Sequence, residues 1–91
     1  MVSVNRDGDA KAQTEDILGQ IDKYLKMAGT DRTKLLTAQI WVADMARDFD
    51  LINTAWEAWI PDAEAPARAT CQAMLASPAI RVEIIVTAAL A

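Results

Sequence analysis

Apolar residues fall into two rhythms along the chain. Between Ala10 and Gly29 they recur as Ile17, Leu18, Ile21, Tyr24, Leu25 and Ala28, the three-and-four spacing of one helix face. Asp9 supplies an N-cap, and Glu15 and Asp16 lie early, where the helix dipole favours acids. Lys23 and Lys26 lie late, where it favours bases, and Gly29 follows as a left-handed stop. Thr30–Lys34 is a short polar link. From Leu35 to Ala43 the rhythm changes to two, with Leu36, Ala38, Ile40 and Val42 on one face. Leu35, Thr37, Gln39 and Trp41 occupy the other, and this alternation predicts a strand. Asp44 caps a second helix over Met45–Trp59, with Phe49, Ile52, Trp56 and Trp59/Ile60 as its stripe and Pro61 as its end. Asp62–Ala65 reads as a loop and Ala67–Ala76 as a strand broken by Ser77-Pro78. Arg81–Ala89 reads as another strand, Val82, Ile84, Val86 and Ala88 facing opposite to Glu83, Ile85, Thr87 and Ala89. Ahead of all this, Met1–Val4 reads as the end of a strand and Asn5–Asp9 as a turn.

This order predicts an α+β domain, 1–91, with two helices on one face of a small sheet. The other face, including Leu35, Trp41 and Ile85, has no element left in the chain to cover it. Self-association of that face in a closed homo-oligomer is the expected solution.

Composition sharpens the picture. Hydrophobic residues make up 53% of the 91, but 18 of them are alanine, so the private core is thin. No apolar run approaches the roughly 18–20 residues of a membrane helix, and no basic leader precedes an apolar stretch. The expectation is a soluble, cytoplasmic domain with no membrane partner. Net charge is −4, and the half after residue 45 carries three arginines, no lysine and six acids. That balance argues against a nucleic-acid partner. The chain has no histidine, which removes Ser–His and Cys–His catalysis and imidazole metal sites. No Gly-rich phosphate loop is present, and no metal or cofactor is expected. The lone Cys71 reads as a small buried filler rather than a nucleophile.

Two residues stand apart. Arg68 opens a strand directly after an X-Pro turn, Pro66-Ala67-Arg68-Ala69-Thr70, and its fork matches a carboxylate. The alternative is a structural pair with Asp62 or Glu64. Glu83 lies inside the apolar run Val82-Glu83-Ile84-Ile85-Val86, where a carboxylate is exposed, paired or functional. Its structural alternatives are a salt bridge to Arg81 or Arg68, or a place facing solvent at the sheet edge. On successive strands, Arg68 and Glu83 are expected to converge in one cleft. Asn53 interrupts the second helix's stripe, where it either orders a loop by hydrogen bonding or simply sits at the stripe's polar border.

These motifs, taken together, resemble the YjgF/RidA family of imine/enamine deaminases. Pro66-Ala67-Arg68-Ala69 followed by Val82-Glu83-Ile84 resembles its signature. Gln13-Thr14 through Ala28-Gly29 resembles its first helix, Ile40–Met45 its strand end, and Phe49–Asn53 with Trp56 its second helix. The resemblance implies a chorismate-mutase-like fold assembled as a homotrimer with ligand clefts between subunits. It implies hydrolytic deamination of reactive 2-imino or 2-enamino acids to 2-keto acids and ammonia, without metal or cofactor. On the matching positions Arg68 would hold the substrate carboxylate, Glu83 would position or activate water, Thr70 would line the pocket and Asn53 would support the site. The chain departs from the family at Cys71, Met74 and the front, where Met1–Val4 lies as if inside a strand and the N-terminal hairpin is expected to be lacking. The alternative that follows is a trimeric small-molecule binding or interaction module that uses the same arginine without turnover.

Overall fold

The computed structural model describes residues 1–4, 7–60 and 65–90. Helix α1 runs over Ala10–Met27, strand β1 over Leu35–Val42, helix α2 over Met45–Trp59, strand β2 over Ala67–Gln72 and strand β3 over Val82–Ala88. The sheet order is β2-β1-β3, with β1 parallel to β2 and antiparallel to β3. Helix α2 is the crossover that a parallel β1–β2 pair requires. Both helices cover one face of this mixed sheet, so the fold is α+β, as the order of elements predicts.

Both helices begin where a carboxylate satisfies free backbone donors. Asp9 accepts from the Ala12 N–H at 2.9 Å, and Asp44 accepts from the Arg47 N–H at 3.2 Å. Helix α1 ends in a double reverse bond: Gly29 N–H donates to Lys26 O and Thr30 N–H to Leu25 O. That geometry requires the left-handed φ of +80° found at Gly29. Helix α2 ends at Trp59 with Ile60 as cap; Pro61, the expected stop, lies outside the described residues. So do Asn5 and Arg6 of the expected Asn5–Asp9 turn and the loop residues 62–64.

The core lies between helices and sheet. Ile17, Leu18, Ile21 and Leu25 of α1 meet Ile52 and Trp56 of α2 over Ala38, Ile40, Val42, Val82 and Ile84. Each large side chain in this set contributes roughly 1.5–3 kcal/mol by leaving water. Two expected stripe members are exposed instead: Tyr24 and Phe49. Polar residues fill part of the interior. The buried Gln13 side chain donates to the Gly8 and Ala79 carbonyls and accepts from the Arg81 N–H, which ties the loop before β3 to α1. Asp48, wholly buried, takes a two-point contact from Arg47 and lies 3.9 Å from Arg81.

Two expectations are corrected. Leu35 is buried and Leu36 exposed, the reverse of the alternation. The register against β3 shifts between Leu35 and Thr37, and this irregularity rotates the strand start by one position. Strand β2 stops at Gln72 rather than Ala76 because β1 ends at Val42; Ala73 N–H makes one last bond to the Val42 carbonyl. Met1–Val4, read as the end of a strand, pairs with β3 over a short stretch: Val2 bridges Glu83, and Met1 and Ile84 exchange two backbone hydrogen bonds.

Candidate functional site

The two outer strands present their distinctive residues to different sides. In the parallel register Arg68 and Thr70 lie beside Ala38 and Ile40, on the face that the helices cover. In the antiparallel register Glu83 lies opposite Trp41, on the face that they leave open. Arg68 and Glu83 are therefore separated by β1 and by the sheet itself. Two strand spacings alone amount to about 10 Å. Convergence of the two within one chain, expected from their successive strands, does not occur.

Arg68 is brought together with Thr70 and Asn53. Its Nε donates to Thr70 Oγ1 at 2.9 Å and its Nη1 to Asn53 Oδ1 at 2.7 Å. The guanidinium carbon lies 5.6 Å from the Trp56 ring centre and 6.0 Å from that of Phe49. These α2 residues share one stripe, at positions 49, 53 and 56, so a single helix face builds the wall over the arginine. Both of these hydrogen-bond partners are neutral. None of the ion pairs among the described residues includes Arg68, and no hydrogen bond among them takes up Nη2. Burial lowers the guanidinium pKa from its ordinary value, and the nearby Glu57 carboxylate works in the opposite direction. The group stays a cation at any ordinary pH. It is a partly desolvated positive charge with one donor edge to spare, which is what an incoming carboxylate needs. The structural alternatives Asp62 and Glu64 lie outside the described residues.

Glu83 is half-buried, and no ion pair among the described residues involves it. Arg81, one proposed partner, turns instead toward Asp48. Around Glu83 the open face carries Thr37, Gln39 and Trp41 of β1, Ile85 and Thr87 of β3, and Ala67, Ala69 and Cys71 of β2. Cys71 is exposed there, not the buried filler expected of a small apolar residue, because its parity places it away from the helices.

Two groups escaped the sequence reading. Asn53 Nδ2 donates to Glu57 Oε1 at 3.1 Å, a contact signalled only by the i, i+4 spacing. Asp22 accepts from Arg32 Nε and Nη2 at 3.1 and 2.6 Å and from Trp59 Nε1 at 2.9 Å, and so links α1, the 3-10 turn Arg32–Lys34 and α2. A separate, mostly apolar hollow of about 610 Å³ lies at the ends of β1 and β2, lined in part by Ala43, Gln72, Met74, Leu75 and Ile80. Neither Arg68 nor Glu83 lines it. Among the described residues no cluster of carboxylate and thiol groups suits a metal ion, and no helix is long and apolar enough to cross a membrane.

Comparison with known proteins places this geometry among relatives. A family profile described as Endoribonuclease L-PSP matches residues 2–90. A RutC family protein from Haemophilus ducreyi is 42% identical over 89 residues, which span 98% of this chain and 75% of that one. The crystal structure of a YjgF family member from Neisseria meningitidis superposes with a TM-score of 0.94 at 42% identity, covering 100% of this chain and 75% of that one. A more distant relative, 35% identical over 77 residues (82% of this chain and 40% of its own), is named Reactive Intermediate Deaminase A, chloroplastic, from Arabidopsis thaliana.

Proposed function

The chain belongs to the YjgF/RidA family, and from that premise we propose that it hydrolyses reactive 2-imino and 2-enamino acids to 2-keto acids and ammonia. The observation that carries this reading is Arg68: a partly desolvated cation, oriented by Thr70 and Asn53, with Nη2 uncommitted among the described residues. The substrate carboxylate binds that edge. Water adds to C2 of the imine as Glu83 takes one of its protons. Glu83 passes that proton to the nitrogen to give the carbinolamine. The hydroxyl then yields its own proton, again through Glu83, to the nitrogen as the C–N bond breaks, the carbonyl forms and ammonia leaves. Enamines first tautomerise by protonation at C3. Atoms balance as imino acid plus water gives keto acid plus ammonia, with no change of oxidation state and no redox partner.

Because Arg68 and Glu83 face opposite sides of one sheet, the site joins Arg68, Thr70 and Asn53 of one copy to Glu83 of another, in a homotrimer. The uncovered sheet face, which carries Trp41, Glu83 and Ile85, supports this arrangement. The ribonuclease description of the family profile finds no support in the charge, which is −4 overall.

The test generates 2-aminoacrylate enzymatically and follows 2-keto acid formation against chemical trapping of the imine. Wild type is expected to accelerate conversion. Arg68→Ala is expected to lower kcat/KM by about 10- to 100-fold, the loss of one sheltered charge-assisted contact. Equal rates for wild type, Arg68→Ala and buffer overturn the reading. Stabilisation by 2-ketobutyrate without turnover would identify a binding module in its place.

A further inference from the structure

Glu57 touches none of the groups that meet the ligand in the proposed reaction. It lies on the exposed side of α2, one turn beyond Asn53. The Asn53 carboxamide has two unlike ends, and it stands between two unlike neighbours. Arg68 has only donors to offer, and an ionised Glu57 only acceptors. One orientation of the amide satisfies both: Oδ1 receives Arg68 Nη1 at 2.7 Å while Nδ2 donates to Glu57 Oε1 at 3.1 Å. Turned over, the amide would set its NH2 against the guanidinium and its oxygen against the carboxylate, and both bonds would be lost.

We propose that Glu57 is a positioning residue of the carboxylate site, fixing the Asn53 amide and through it the Arg68 fork. The inference rests on the reading of Arg68 as the carboxylate clamp. Its physical content is a division of labour. A carboxylate placed directly at position 53 would orient Arg68 too, but it would also neutralise it and compete with the ligand. A neutral amide between the charges transmits orientation while leaving the cation unmatched. The charge of Glu57 still reaches Arg68, supporting its protonated form. It does so from the far side of the Asn53 amide, whose Nδ2 it accepts from.

A double-mutant cycle at positions 53 and 57 in the full chain tests this. It uses two readouts: binding of 2-ketobutyrate, and the Arg68 15Nε–1H signal in NMR, which needs no turnover. Glu57→Ala is expected to weaken 2-ketobutyrate about fivefold, close to the net worth of one modest hydrogen bond. It is also expected to broaden the Arg68 signal and to raise KM with little change in kcat. Glu57→Gln keeps an acceptor for Nδ2 and is expected to recover most of the loss. In an Asn53→Ala background, Glu57→Ala is expected to add nothing, since the relay is already cut. Asn53→Asp, nearly the same shape, is expected to bind 2-ketobutyrate at least as poorly as Asn53→Ala. An Arg68 signal indifferent to Glu57→Ala overturns the proposal. So does a loss of equal size with and without Asn53. If wild type shows no deaminase turnover yet the Arg68 signal responds as expected, the deaminase reading fails and the positioning role stands.

Discussion

Arg68 and Asp31 show what single polar residues do in a chain with a thin core. Among the described residues Arg68 is held by neutral hydrogen-bond partners and joins no ion pair, a cost that a structural arginine normally avoids by pairing. Asp31 is the opposite case, spent wholly on local structure. It caps the 3-10 turn Arg32–Lys34 by accepting from the Thr33 N–H at 2.8 Å and from the Thr33 hydroxyl. The Thr33 hydroxyl first, then its N–H, pulls the Asp31 pKa below the ordinary 3.8, with Lys34 adding a smaller effect. The sign follows from linkage. A carboxyl whose folded pKa is depressed contributes stability that is fully present above its unfolded pKa and fades as pH falls through the folded value. Wild type is therefore expected to lose part of its stability below about pH 4 through this turn. Asp31→Asn should show a shallower acid limb in denaturant unfolding measured from pH 5 down to 2. Identical limbs would remove Asp31 from the account.

At the scale of elements, the termini carry much of the fold's definition. Gly29 holds φ +80° at the end of α1 with open space around the position of an added Cβ, so only backbone conformation penalises a side chain there. Gly29→Ala is expected to cost about 1 kcal/mol in denaturant unfolding; Gly19→Ala, in the exposed helix interior where an added Cβ meets nothing, is expected to stabilise by a similar amount. The opposite ranking would contradict the left-handed stop. Both helices were legible because their caps and stops are local chemistry: Asp9, Asp44 and Gly29 act within one turn of their own positions. Strand limits were less legible. The Leu35/Leu36 reversal depends on how β1 registers with β3, and two adjacent leucines satisfy either parity. The end of β2 depends on where β1 runs out, which no residue of β2 encodes. The side of the sheet taken by Arg68 is of the same kind. Parity along one strand is visible in sequence, but parity between strands is set by the parallel and antiparallel registers. Arg68, Thr70 and Asn53 could be singled out from residue type and resemblance, whereas the separation of Glu83 from them required the sheet. Glu57 and the Asp22–Arg32–Trp59 link were hidden because charged residues at such spacings usually face solvent.

For the whole molecule, the division of the sheet into two faces is the main constraint on function. One face is sealed by helices and carries the arginine; the other carries Trp41, Glu83 and a 40% exposed Ile85. A single copy cannot bring both halves of the proposed site to one substrate without dismantling the β1 ladder. Two copies can, if the open face of one meets the β2 side of the next. This makes a prediction that no single-chain site shares. Arg68→Ala and Glu83→Ala, each expressed alone, are expected to retain no more than about a tenth of wild-type activity toward 2-aminoacrylate. Co-expressed in equal amounts, under the proposed homotrimer they would form mixed trimers in which each cleft draws its arginine and its glutamate from different copies. Half of the arginine donors and half of the glutamate donors are intact, so about a quarter of wild-type activity should return. Ile85→Asp, which places a charge on the open face, is expected to give monomers by light scattering and to abolish the recovery. Mixing that restores nothing, while each variant folds and assembles, would place both residues in one chain's site or remove Glu83 from the chemistry. Recovery near one quarter, lost on monomerisation, would assign the two faces of this sheet to two sides of one shared cleft.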